Sequence, residues 1–261
     1  MIGIDLSGKN VLITGATGGM GAGITRQYAK AGAKVYMTDI NAPKLEELKS
    51  QFASEGLTVF PQKLDVTNED EVKNTVNSIA AADGKIDILC YAAGIIYVRH
   101  YMESTVAELR RSLEVNLVGL DSCCRAVLEH MIPARQGKIV AICSAASREG
   151  KPNIAHYSAS KFGDHGLLQS IALSVAEYGI NVNGLCPGFV MSDMFYKFYA
   201  EQKEKEGRDW SYYEELTKNA LPMKRFQTGE DIGNAAVFFS SEMSCNITGQ
   251  LLNVDGAMHL N

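Results

Sequence analysis

Seven short apolar or β-branched runs recur along the chain, and every interval between them is long enough to hold a helix. The runs are Asn10 to Thr14, Lys34 to Thr38, Thr58 to Leu64, Ile86 to Tyr91, Lys138 to Cys143, Ile180 to Cys186 and Gln250 to Val254. Antiparallel neighbours can be joined by tight turns, whereas helix-length intervals point to parallel strands with crossover helices. The interval Glu69 to Ala81 carries the helical pattern, with Val72, Val76 and Ile79 on one face. Asn68 is placed as its N-cap, and Glu69, Asp70 and Glu71 lie at the positive end of the helix dipole. The rhythm predicts one α/β domain over residues 1–261, a doubly wound sheet of about seven parallel strands with helices on both faces.

One segment breaks the rhythm. Residues 191–219, rich in aromatics and charges, are read as a helical lid inserted before the last strand-helix pattern resumes. There is no internal repeat, low-complexity tract or linker. A net charge of -5, with no block of like charge, gives no support to nucleic-acid or membrane-surface binding. No apolar run reaches the roughly 20 residues that span a bilayer, and Met1 to Asp5 lacks the basic region and apolar stretch of a signal peptide. A cytoplasmic location is therefore expected. Cys90, Cys123, Cys124, Cys143, Cys186 and Cys245 match no zinc spacing and are read as buried free thiols, with no metal site.

The first run leads into Thr14-Gly15-Ala16-Thr17-Gly18-Gly19-Met20-Gly21, ahead of a helical stretch. A glycine-rich turn there lets the backbone approach a pyrophosphate, whose charge is held by amides at the helix N-terminus. Gly15, Gly19 and Gly21 are spaced G-x-x-x-G-x-G, and their position after a strand and before a helix turns a weak motif into a strong one. The domain is accordingly read as a Rossmann dinucleotide-binding fold. Asp39 closes the second run, where a carboxylate accepts hydrogen bonds from adenosine ribose hydroxyls and repels a 2′-phosphate. Gly18 brings no basic side chain to offset that repulsion, so NAD is the expected cofactor.

Tyr157 and Lys161 stand four apart on one helical face. A phenol titrates near about 10, too high for a base at neutral pH, but a neighbouring ammonium favours the phenolate. Alone, such a pair is ordinary surface chemistry. Its context is not: Asp65 follows the third run, Ala93-Gly94 the fourth, Asn116 falls in a helix, Ser144 follows the fifth run, and Pro187-Gly188 the sixth. With the glycine loop and Tyr157-x-x-x-Lys161, these motifs resemble, in order and across almost the whole chain, the short-chain dehydrogenase/reductase family.

The resemblance implies an enzyme that moves a hydride between NAD(H) and a CH–OH group, assembled as a homotetramer. It makes Tyr157 the acid/base, Ser144 the hydrogen-bond partner of the substrate oxygen, and Lys161 the group that binds nicotinamide ribose and tunes Tyr157. Asn116 would hold a water linking Lys161 to bulk solvent. Cofactor contacts are expected from Gly15, Thr17, Gly18, Gly19, Met20 and Gly21 in the loop, and from Asp39 and Ile40 after the second run. Asp65 and Val66 would frame the adenine, Ala92 and Gly94 would add further contacts, and Pro187, Gly188, Val190 and Ser192 would face the nicotinamide end. One departure stands out. The family commonly has Asn-Asn-Ala-Gly where this chain has Tyr91-Ala92-Ala93-Gly94, which predicts local repacking rather than lost activity. His156 would point about 100° away from Tyr157 on the helix and is given a structural role.

The substrate pocket is expected between residues 144–153, 95–101 and 191–219, with Arg148, Glu149, Lys151, Arg99 and His100 as polar candidates. Phe195, Phe198 and Tyr199 either cover a ligand or close the lid. Within the family, Ser160 to Leu167, Ala176 to Ile180 and the aromatic lid look like polyol and sugar-alcohol dehydrogenases, sorbitol-6-phosphate dehydrogenase among them. A hydroxysteroid dehydrogenase is the alternative, an oxoacyl reductase fits less well, and a dinucleotide-binding sensor without turnover is the reading of a different class. Intact Asn116, Ser144, Tyr157 and Lys161 argue against the last.

Overall fold

The computed structural model describes residues 3–260, apart from the side chains of Asp193 and Glu201. All seven expected strands form: β1 (Asn10–Thr14), β2 (Lys34–Asp39), β3 (Val59–Lys63), β4 (Ile88–Tyr91), β5 (Gly137–Ile142), β6 (Ile180–Pro187) and β7 (Leu251–Val254). They make one parallel sheet in the order β3-β2-β1-β4-β5-β6-β7. The order reverses between β1 and β4. In a doubly wound sheet, ligands bind outside the strand C-termini at such a switch point.

Both faces of the sheet are covered, and successive side chains of each central strand serve opposite cores. On one face Leu12, Leu89, Tyr91, Ile139, Ala141 and Val182 pack with apolar side chains of α3 (Glu69–Asp83), α5 (Gly119–Ala134) and α6 (Ala155–Val175). On the other, Val11, Ile13, Val35, Met37, Cys90 and Val140 pack with α1 (Gly21–Lys30), α2 (Ala42–Ser54) and α9 (Gly229–Phe239). The Asn68 side chain accepts from the Glu71 amide at 3.1 Å, as its place before α3 predicts. Helix α4 (Val106–Leu113) opens on a capping box, Thr105 with Glu108, and runs into a π-helical turn over Glu114–Val118.

Between β6 and α9 lie α7 (Asp193–Glu206) and α8 (Trp210–Ala220), the segment expected as a lid. An aromatic cluster holds the two together: Tyr196 meets Trp210 edge to face at 4.9 Å between centroids, and Tyr199 meets Tyr213 in a tilted pair at 5.2 Å. Five cysteines are buried as expected, but Cys245 is exposed. It follows a short 3-10 turn over Glu242–Ser244 rather than lying in a strand or packed helix face. Among the described residues no helix is long and apolar enough to cross a membrane, and no His, Cys, Asp or Glu cluster is arranged to hold a metal ion.

Candidate active site

Two cavities open at the C-terminal edge of the sheet, on either side of the glycine loop. The first, about 220 Å3, lies over the switch point and is lined by Gly15, Thr17, Gly18, Asp39, Ile40, Asp65, Val66, Ala92 and Gly94. Every one of these is an expected cofactor contact. Leu64, Ala93, Ile95, Arg111 and Val115 also line it and were not anticipated. Arg111 and Val115 come from α4 and the π turn, elements whose approach to the groove has no local sequence signal.

The loop is shaped for a close backbone approach. Gly15 has φ +66°, and a Cβ there would meet the Ala92 carbonyl oxygen at 2.6 Å; one on Gly21 would meet the Gly15 oxygen at 2.2 Å. Gly19 abuts Ser192, whose Cβ lies 2.4 Å from the position a Gly19 Cβ would take. The loop therefore touches the segment after β6. No side chain caps the first turn of α1, whose N-cap is Met20. Asp39 anchors the far side of the groove: Oδ2 accepts from the Thr17 amide at 3.1 Å and Oδ1 from the Asn41 amide at 3.0 Å. Asp65 accepts from the amide and hydroxyl of Thr67 at 3.0 and 2.7 Å, bonds that hold its carboxyl below its ordinary range. A glycine cradle, uncapped helix amides and a fixed carboxylate at the end of β2 fit a nicotinamide dinucleotide.

The second cavity, about 630 Å3, holds Ser144 and Tyr157 in its wall, with Met20, Pro187, Gly188, Val190 and Ser192. Its outer walls come from the three segments expected, with Ile154 one residue beyond them: Ile96 and Val98, residues 144–146 and 151–153, and Met194, Phe195, Phe198, Gln202, Lys205 and Glu206. Cys143, Phe189 and Met258 are additions; Met258 arrives from the far end of the chain, a long-range packing event that no local pattern announces. Of the five charged candidates only Lys151 lines the cavity. Arg148 turns away and donates to the Leu251 carbonyl on β7 at 2.5 Å, and Arg99 pairs with Glu108 at 2.7 Å. Glu149 bonds Lys151 and also His259, at 2.7 Å. Phe195 and Phe198 face the cavity, whereas the Tyr199 hydroxyl accepts from Thr217 at 2.8 Å.

Behind the wall stand the remaining expected groups. Lys161 is 3% exposed, and its ammonium donates to the Ile142 carbonyl and to Asp164 Oδ2, both at 2.9 Å. It lies 5.8 Å from the centroid of the Tyr157 ring. Burial pushes the Tyr157 phenol above its ordinary value; the Lys161 charge and the neighbouring Ser144 hydroxyl pull the other way without overcoming it. Asn116 sits in the π turn, fully buried. Its amide accepts from the Ile95 N–H at 2.8 Å and donates to the Ile95 carbonyl at 3.0 Å and the Ser160 hydroxyl at 2.9 Å. Ser160 in turn donates to the Tyr157 carbonyl at 2.7 Å. Asn116 thus braces the strand β4 exit against the turn of α6 that bears Tyr157 and Lys161. A π turn at such a point is a frequent mark of a functional site. His156 faces Ser104, with Nε2 at 3.4 Å from the hydroxyl, and stays outside the cavity.

The family model for short chain dehydrogenases matches residues 9–203. The chain belongs to the short-chain dehydrogenase family. It is an oxidoreductase acting on CH–OH groups with a nicotinamide cofactor. Among its relatives is a 3-oxoacyl-(acyl-carrier-protein) reductase of Rickettsia bellii, 36% identical, with 98% of each chain covered. Another is a gluconate 5-dehydrogenase of Gluconobacter oxydans, 35% identical over 97% of this chain and 96% of that one. A solved actinorhodin polyketide ketoreductase with NADPH matches with a TM-score of 0.91 at 25% identity, covering 96% of this chain and 97% of that chain. The family resemblance read from the motifs holds, while these relatives are not specifically polyol or sorbitol-6-phosphate dehydrogenases.

Proposed function

We propose that this short-chain dehydrogenase is NAD(H)-dependent and interconverts a secondary alcohol and its ketone, with Tyr157 as the acid/base. The observation that carries the reading is the convergence of Ser144 and Tyr157 in one cavity wall with Lys161 buried behind Tyr157. Bound nicotinamide supplies the hydride acceptor or donor. The chain's own residues handle the oxygen and its proton. Ser144 hydrogen-bonds the reacting oxygen, and Tyr157 removes the hydroxyl proton in oxidation or returns it in reduction. Both act where negative charge develops on that oxygen. Lys161 favours the phenolate and has a third N–H donor left for the nicotinamide ribose. Asn116 is assigned to support a water relay behind Lys161, on the strength of the braced turn it forms with Ser160.

The cofactor preference rests on Asp39. Its carboxylate is held by the amides of Thr17 and Asn41, which fixes a negative charge at the wall of the groove, where it would repel a 2′-phosphate. The single NAD-binding domain and the role of α7 and α8 as its lid belong to the same reading, supported by Phe195 and Phe198 of α7, which line the cavity with Ser144 and Tyr157.

For the substrate, the proposal is a polyol or sugar-derived alcohol, supported by the sequence of α6, Lys151 and Gln202 at the cavity wall, and the gluconate-type relatives. A second reading has its own observation. Ile96, Val98, Ile154, Phe189, Phe195 and Phe198 make an apolar wall, against which bare hydroxyls would lose hydrogen bonds to water. That wall favours an oxoacyl chain or a hydroxysteroid. Cofactor turnover with polyols, polyol phosphates, sugar acids, oxoacyl thioesters and hydroxysteroids separates the readings. Turnover of none of these with either nicotinamide cofactor would contradict the proposal.

A further inference from the structure

The buried face of α6 carries a third polar group beyond Tyr157 and Lys161. Asp164 lies three residues past Lys161, and its side chain is 1% exposed. Oδ2 accepts from the Lys161 ammonium at 2.9 Å, and Oδ1 has no hydrogen-bond partner among the described residues. A buried carboxylate with one oxygen unpaired is expensive, and a buried ion pair is weak evidence of stability, since two well-packed apolar side chains in its place are often as stable. With Lys161 buried, Asp164 stands as its counter-ion. Among the described residues Lys161 is its one hydrogen-bond partner.

The groups around Asp164 leave that pair isolated. Tyr157 is on its own helix, Cys143 follows β5, Tyr91 ends β4 and Cys124 belongs to α5. Burial pushes Tyr91 and Cys124 far up, and the hydrogen bond with Cys186, with burial behind it, does the same to Cys143, so all three stay neutral. Cys186 on β6 lies one step further out, against Cys143 and Arg148. Lys161 and Asp164 are the charges that face one another in this part of the core, and both act on the Tyr157 phenol from within the protein. Two of the three ammonium protons are fixed, one on the Ile142 carbonyl and one on Asp164.

We propose that Asp164 is a positioning residue for this site: its carboxylate fixes the Lys161 ammonium and offsets its field at Tyr157, so that Tyr157 keeps its proton to higher pH. The protonated phenol is the form that carbonyl reduction requires, whereas alcohol oxidation requires the phenolate. An enzyme built this way sustains reduction across neutral pH and oxidises efficiently only in alkali. The inference rests on Tyr157 being the acid/base.

The test is Asp164→Asn, which keeps the shape and an acceptor for Lys161 but removes the charge. Tyr157 is titrated in the cofactor-free enzyme by tyrosinate absorbance, taken as the difference between each protein and its Tyr157→Phe counterpart. The midpoint is expected to fall by about one pH unit or more, and the rising limb of the oxidation pH-rate profile should move the same way. Asp164→Glu should restore the native position. Asp164→Ser, which keeps a hydroxyl acceptor for Lys161 without the charge, gives the same reading if the Asn variant does not fold. Lower activity at every pH with an unmoved midpoint would make Asp164 merely structural and overturn the inference. Full turnover by Tyr157→Phe would overturn it together with the acid/base assignment, which separates the two failures.

Discussion

Tyr157 sits between opposing influences, and their balance sets the pH dependence of the enzyme. Burial and Asp164 hold the proton on the phenol, while Lys161 and Ser144 help it leave. The phenol of the cofactor-free protein should therefore titrate above the ordinary tyrosine value. The lowered value expected from sequence needs oxidised nicotinamide as well as the neighbouring ammonium; without cofactor the opposite balance holds, and the spacing of Tyr157 and Lys161 reveals neither the burial nor the counter-ion behind it. The sign for catalysis follows: alcohol oxidation should rise with pH as Tyr157 ionises, and ketone reduction should fall over the same window. A pH-rate profile in both directions checks it; a flat oxidation profile from neutrality to alkali would contradict it. At the other end of the site, Asp39→Ala should weaken NAD binding and relax discrimination against NADP by about tenfold or more, about 1.4 kcal/mol. Steady-state efficiencies with the two cofactors measure this. Equal efficiency in the unaltered enzyme would remove the basis for the NAD assignment. Asp39 was legible because strand position and charge suffice to place it. Arg148 was not, because a loop arginine can turn toward a cavity or a strand edge, and here it caps a β7 carbonyl.

At the level of elements, the departure Tyr91-Ala92 finds a local structural answer. The Tyr91 hydroxyl donates to the Val115 carbonyl at 2.5 Å, tying β4 to the π turn that carries Asn116. Thr14 Oγ1 accepts from the amides of Ala92 and Ala93 at 3.1 and 3.3 Å, which joins β1 to the same strand exit. The bulk of Tyr91 is matched by Gly119, where a Cβ would stand 2.6 Å from the Tyr91 oxygen. Tyr91 thus ties the end of β4 to the π turn through its phenol. Tyr91→Phe should leave a buried carbonyl without its partner and lower stability by about 1–3 kcal/mol, read from urea unfolding. Gly119→Ala should destabilise the native chain through the Tyr91 clash, and less so in the Tyr91→Phe background. Additive effects of the two changes would show that the residues do not meet as described. The strands were legible because central parallel strands are apolar on both faces. The π turn was not, since nothing in the run Glu114 to Val118 distinguishes it from an ordinary α-helix.

Across the whole molecule, the switch point between β1 and β4 gathers motifs from distant parts of the chain onto one edge of the sheet. Their order and strand-end positions made the cofactor groove readable. The substrate cavity was readable only as three segments, because Met258 and the orientation of Lys151 depend on how the C-terminal stretch folds back. The surface carries a prediction of its own. Val106 on α4 and Phe162 and Leu173 on α6 are large apolar side chains left 62%, 45% and 85% exposed. We expect α4 to α6 to pair across two-fold axes in a homotetramer, and sedimentation at micromolar concentration should show it; a monomer alone would contradict that assembly. The central claim concerns chemistry, and one comparison tests it most directly. Tyr157→Phe removes a single oxygen, so folding and NADH binding should match the native enzyme. With the best alcohol substrate found, turnover should fall by about a hundredfold to ten-thousandfold, the usual worth of a placed proton-transfer group. A variant that binds NADH normally yet turns over within about threefold of native would show that Tyr157 is not the acid/base.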